Sequence, residues 1–172
     1  MAEIKKRISK EEYYLNIADA VGARGTCLRR NYGAIIVKAD NIIATGYTGS
    51  PRGEANCCDT GQCERELLNI PSGERYELCK SVHAEQNCII SASRLDMIGG
   101  TLYLSGRDYV TGALLDAKPC LMCEKMIKNA GIARVIARQA DGSYMTTEVV
   151  NDTIMSMLKQ KQGGTGTIKS NF

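Results

Sequence analysis

Two short segments constrain this chain more than any others: Val82-His83-Ala84-Glu85-Gln86-Asn87 and Pro119-Cys120-Leu121-Met122-Cys123, each at the opening of a predicted helix. Cys120 and Cys123 stand three apart in a first helical turn, so both sulfurs face one side. A helix N-terminus also lowers a thiol's pKa and favours the thiolate that a metal requires. By itself this pair fits a redox Cys-x-x-Cys or half of a zinc ribbon equally well. His83, the only histidine in the chain, decides between them. With Cys120 and Cys123 it supplies three ligands, the number a catalytic zinc uses when its fourth position is left for water. Residues two apart on a helix point in different directions, so Glu85 joins this group only if His83 is the last loop residue and Glu85 lies in the first turn. The carboxylate then sits over the open position of the metal, as acid and base. Zinc with two thiolates and a neutral imidazole has no net charge, so it acidifies its water less than an all-histidine site, and a nearby base is needed.

The elements around these segments read as an α/β domain. Ser9 and Glu12 form a capping box ahead of Tyr14, Ile17, Ala18 and Val21 on one helical face, which ends near Gly22. Residues 33–37 and 42–47 are β-rich runs joined by Asp40-Asn41, giving an antiparallel hairpin. A Gly- and Cys-rich connection over 48–80 follows, with one helical turn near 64–69. Helices are predicted over 83–95 and 120–130, strands over 101–105 and 132–137, and a last amphipathic helix over 147–159. Parallel pairing is expected across each crossover. The 172 residues carry no repeat or linker, which argues for one domain with residues 10–160 folded and 161–172 a mobile tail.

Composition narrows the function classes. The chain is 44% hydrophobic and 24% charged, as a globule with a core requires. No window approaches a membrane span, and the first residues lack the apolar stretch of a secretion signal, so a cytoplasmic protein is expected. In that compartment the eight cysteines are expected to be ligands, catalytic groups or small buried hydrophobes rather than disulfides. A net charge of +3 argues against a nucleic-acid strand as partner and suits a mononucleotide.

The pattern His83-x-Glu85 followed by Pro119-Cys120-x-x-Cys123 resembles the signature of the zinc nucleobase deaminases. The likeness extends through Cys27-Leu28-Arg29-Arg30, Gly33-Ala34-Ile35-Ile36-Val37, residues 44–53, Ile70-Pro71-Ser72-Gly73-Glu74-Arg75 and Asn129-Ala130-Gly131-Ile132. Across residues 10–137 the chain is similar to the deoxycytidylate (dCMP) deaminase family. The resemblance implies a three-layer αβα sandwich of the cytidine-deaminase type, whose mixed sheet has an N-terminal antiparallel hairpin and then parallel strands. It also implies a hydrolase acting on a cyclic amidine C–N bond, which converts dCMP to dUMP and ammonia. His83, Cys120 and Cys123 would hold zinc, and Glu85 would move the protons. Family members form homo-oligomers, often hexamers, and many respond to dCTP and dTTP. Rival readings are a deaminase of cytidine, deoxycytidine, dCTP or a base in nucleic acid, and a non-enzymatic zinc module.

Two departures bear on the substrate. The family's Gly-Tyr-Asn-Gly has Thr48 at the Asn, and residues 106–118 intervene before Pro119-Cys120, as a recognition element, a subunit contact or a neutral insertion. Thr48, Arg52, Arg29 and Arg30 are the nucleotide-binding candidates, since a phosphate needs cations or helix N-termini. Cys27, Cys57, Cys63 and Cys79, with Cys58 as substitute, are candidates for a second, structural zinc that would order the long connection. Small buried thiols explain them equally well.

Overall fold

The computed structural model describes residues 6–149. Its spine is a five-stranded sheet in the order β2-β1-β3-β4-β5, with ranges Arg30–Lys38 (β1), Asn41–Tyr47 (β2), Thr101–Asp108 (β3), Arg134–Arg138 (β4) and Tyr144–Glu148 (β5). β1 and β2 form the expected hairpin, and its turn places Ala39 and Asp40 at φ 49° and 65°, the primed geometry that matches strand twist. β3 inserts beside β1 and runs antiparallel to it, so only β3 and β4 make the expected parallel crossover pair. β5 closes the other edge, antiparallel to β4.

Helices cover both faces. On one side α1 (Lys10–Gly22), capped by Ser9 Oγ accepting the Glu12 N–H at 3.1 Å, buries Tyr14, Leu15 and Ala18 against Ile35, Val37, Tyr103 and Ile136. On the other, α4 (Ala84–Ile89) and α6 (Leu121–Ala130) bury Ala84, Cys88, Ile127 and Ala130 against Ala34, Ile36, Leu102 and Leu104. Successive strand residues thus serve opposite layers, as pleating dictates. A Cβ at Gly46 of β2 would lie 2.3 Å from Cys88 N and 2.5 Å from Ala84 O, so α4 reaches the sheet only because that residue is glycine. Gly131 ends α6 at φ 84°.

The structure corrects two helix expectations. The helix expected over 83–95 is two pieces: α4 stops at Ile89, Ser91 Oγ bonds back to Asn87 O at 2.7 Å, and Ser93 caps a short α5 (Arg94–Met97). Leu95, which a continuous apolar face would bury, is 75% exposed. The helix expected from 147 is β5 at its first residues, an edge strand exposed throughout, whose pattern carries no buried face to read; the remainder lies outside the described residues. The tail expectation, 161–172, lies there too.

The long connection is ordered by polar contacts. Two short helices, α2 (Cys57–Thr60) and α3 (Glu64–Leu67), punctuate it, and only α3 falls where a helical turn is expected. Thr26 anchors the segment: its hydroxyl donates to Asn56 Oδ1 at 3.0 Å, and its carbonyl accepts the Cys58 N–H at 3.2 Å. Residues 106–118 extend β3 and fold back through a bridge between Arg107 and Leu114, while Arg107 pairs with Asp19 of α1 at 2.8 Å. Among the described residues no helix is long and apolar enough to cross a membrane.

Candidate active site

The candidate metal ligands stand at two neighbouring helix starts. His83 is the N-cap of α4, its backbone N–H donating to Gln86 Oε1 at 3.1 Å, and Glu85 is in the first turn. Cys120 is the N-cap of α6 and Cys123 lies in its first turn. The packing of α4 against α6 on one sheet face places His83 Nδ1 3.5 Å from Cys120 Sγ and 3.4 Å from Cys123 Sγ. Among the described residues these are the only three ligand-type side chains whose donor atoms all lie within 4.8 Å of one another.

Electrostatics shows what this cluster is built to receive. Glu85 is 5% exposed, and burial pushes its carboxyl up to about 7, against the opposing pull of its backbone hydrogen bond and the Cys123 thiol. Burial likewise drives the Cys123 thiol far up, with the Glu85 carboxylate and Cys120 adding to the effect. Desolvation keeps the His83 imidazole below its ordinary range, hence neutral. A dication at the centre would reverse the first two, stabilising the Cys123 thiolate and the Glu85 carboxylate, and would suit the third by binding a neutral imidazole. The donor set therefore fits zinc, with three protein ligands and room for water.

A cavity opens beside the triad, with His83, Glu85 and Cys120 on its wall. The nucleotide-binding candidates divide around it. Arg29 and Arg30 line the cavity; Arg29 also pairs with Glu66 at 3.6 Å. Thr48 lines it too, but is 8% exposed, and its hydroxyl oxygen accepts the Tyr32 backbone N–H at 3.2 Å. Arg52 is exposed and off the wall. Cys27, Cys57, Cys63 and Cys79 all reach the same wall, although among the described residues no three of their sulfurs gather as closely as the His83 group does; Cys58 is exposed and does not reach it. Lys118 brings the end of the 106–118 segment to the cavity.

The sequence reading did not single out Tyr32, Arg65 or Tyr76. Tyr76 meets His83 edge-on with ring centroids 5.0 Å apart, and the Arg65 guanidinium lies 5.2 Å from the Tyr76 ring centroid. Both come from the irregular connection, where no periodicity marks which side chains turn inward. The only available signal was an arginine two residues beyond a candidate ligand, Cys63.

An αβα fold that holds zinc between two helix starts, with a buried carboxylate beside it, defines a zinc-dependent hydrolase of the deaminase class. The model of the cytidine and deoxycytidylate deaminase zinc-binding region matches residues 8–139, and the chain belongs to this family. It is 36% identical over 131 residues to the deoxycytidylate deaminase of Mycobacterium phage D29, covering 73% of this chain and 91% of that one. To the deoxycytidylate deaminase of Saccharomyces cerevisiae it is 34% identical over 136 residues, covering 78% of this chain and 39% of the yeast enzyme. The crystal structure of the dCMP deaminase of cyanophage S-TIM5, in complex with dCMP and dUMP, superposes with a TM-score of 0.52 at 27% identity, covering 77% of this chain and 85% of that one.

Proposed function

We propose that this chain hydrolyses the 4-amino group of dCMP to give dUMP and ammonia. The observation that carries the reading is a buried carboxylate, Glu85, against the metal triad at a cavity whose wall bears Arg29, Arg30, Arg65, Lys80 and Lys118 but only Glu64 and Glu85 as acids. That balance suits an anionic nucleotide rather than a neutral nucleoside. The D29 and yeast relatives, named for dCMP, support the same substrate.

His83, Cys120 and Cys123 would hold zinc, which when bound would supply the chemistry of an acidified water, a nucleophile at neutral pH. Glu85 takes the proton that the attacking water gives up and delivers one to the ring N3. With the C4–O bond formed by that attack, Glu85 then carries the second water proton from the C4 hydroxyl to the 4-amino group, so that the C4–N bond breaks, the carbonyl of dUMP remains and ammonia leaves. Burial, by bringing the carboxyl near neutrality, gives Glu85 the balance of acid and base that such shuttling needs.

The test is ammonia release from dCMP, dCTP, deoxycytidine, cytidine and CMP in parallel, with and without added dCTP and dTTP. Fastest turnover of dCMP is expected. Another best substrate would overturn the assignment, and release from none would favour a non-catalytic zinc module. A cytoplasmic homo-oligomer under dCTP and dTTP control completes the reading; a sedimentation profile with and without the two nucleotides checks its assembly and regulation. Cys27, Cys57, Cys63 and Cys79 are the proposed ligands of a second zinc, supported by their convergence on one wall. Two zinc ions per purified chain are expected, and one would rule the second site out.

A further inference from the structure

The cavity contains a buried positive charge that the chemistry at Glu85 does not use. Arg65 is 6% exposed, and among the described residues no carboxylate oxygen lies within 4.0 Å of its guanidinium. Its partners are neutral: Nη1 donates to Arg75 O at 3.0 Å, Nη2 donates to Pro71 O at 2.7 Å, and one face rests on Tyr76. Glu64 and Glu66, its helix neighbours, do not compensate it; Glu66 is taken by Arg29. Carbonyls and a ring face soften a buried charge without cancelling it, and a guanidinium has five N–H donors, of which these two bonds leave the others for a ligand.

Position gives this charge its meaning. Arg65 lines the same cavity as Glu85 and His83, and the contacts from Arg65 to Tyr76 and from Tyr76 to His83, 5.2 and 5.0 Å, tie the guanidinium to the metal ligand in series. A group bound at Arg65 is thereby held in register with the reacting end of the site. Resting on the dCMP reading above, we propose that Arg65 is a specificity-determining residue whose buried guanidinium receives the phosphate of the substrate. The planar fork matches phosphate oxygens in a way a lysine ammonium does not, and binding energy gained at this remote group positions the base for reaction.

Zinc-loaded wild type, Arg65→Gln and Arg65→Lys are compared on dCMP and deoxycytidine, with inorganic phosphate as a competing probe. The wild type is expected to favour dCMP. Arg65→Gln should raise KM for dCMP about 10–100-fold, the scale of a lost charge-assisted hydrogen bond, with a much smaller change on deoxycytidine, which has no phosphate. Arg65→Lys should fall between. Phosphate should compete with dCMP on the wild type and lose that effect in Arg65→Gln. Equal losses on both substrates, reduced zinc content in the variants, or full dCMP preference in Arg65→Gln would each overturn the proposal. If Arg65→Gln does not fold, phosphate competition on the wild type and Arg65→Lys decides. A wild type with no preference for dCMP over deoxycytidine would instead overturn the substrate assignment itself.

Discussion

At the scale of single residues, Glu85 is where environment and chemistry meet. Its side chain is almost wholly buried, yet no cation among the described residues pairs with it, and burial raises its carboxyl to about 7. A structural carboxylate in that position would be costly to keep; beside the proposed zinc and its water it would serve as a proton carrier. Glu85→Gln preserves shape and removes the proton-accepting oxygen, so kcat should fall by roughly 10²–10⁴-fold while zinc content, read by metal analysis, stays unchanged. Full activity in Glu85→Gln would sink the proposed mechanism. Thr48 lines the cavity, and its hydroxyl oxygen also accepts the Tyr32 backbone N–H at 3.2 Å, which fastens the start of β1 to the end of β2.

Among the elements, α4 has the most to position. It brings His83 and Glu85 to the site and rests on β2 through Gly46, where a Cβ would come within 2.3 Å of backbone nitrogen and 2.5 Å of backbone oxygen. Backbone cannot swing aside as a flexible side chain can, so Gly46→Ala must push the helix outward. We expect a destabilisation of about 1–3 kcal/mol, the range for overpacking, together with a fall in kcat, seen by thermal melting and steady-state assay. On the opposite layer Leu15 is fully buried in α1. Leu15→Ala should cost about 2–5 kcal/mol as a cavity and leave the KM for dCMP unaltered in the folded fraction, because α1 forms no part of the cavity wall.

For the whole molecule, an ion pair across the chain ties α1 to the sheet, and it has its own sensitivity to pH. Arg138 of β4 is 5% exposed and grips Glu12 of α1 with bonds of 2.8 and 2.9 Å, assisted by Asn16 at 2.9 Å. The Arg138 hydrogen bond holds the Glu12 carboxyl below its ordinary range. A carboxyl depressed in the folded state contributes stability above its unfolded pKa and loses it as pH falls through the folded value. Acid should therefore weaken the wild type more steeply below about pH 4.5 than it weakens Glu12→Gln, in melts run across pH. At neutral pH that substitution should cost about 1–2 kcal/mol, discounted because the Glu12 side chain is 36% exposed and screened by water. Zinc held as proposed would tie α4 to α6, neighbours on one face of the sheet, through His83 and Cys120. Chelation should lower Tm, since a ligand bound only by the native state contributes about 4 kcal/mol at a thousand times its dissociation constant; an unchanged Tm would show that the two helices are held by packing alone.

Sequence by itself determined the parts of this protein that depend on neighbours in the chain. The spacing of Cys120 and Cys123, the loop position of His83 ahead of Glu85, the Ser9 cap and the Asp40 turn are local geometry, and the structure places them so. The strand order, the break after Ile89 and the edge strand at Tyr144–Glu148 were decided by tertiary structure, because pairing partners and burial are settled by segments far apart. So was the inward turn of Arg65 and Tyr76. An irregular segment has no period to announce which side faces the core, and only the folded chain, by closing that segment over the metal triad, makes a surface arginine into a buried charge.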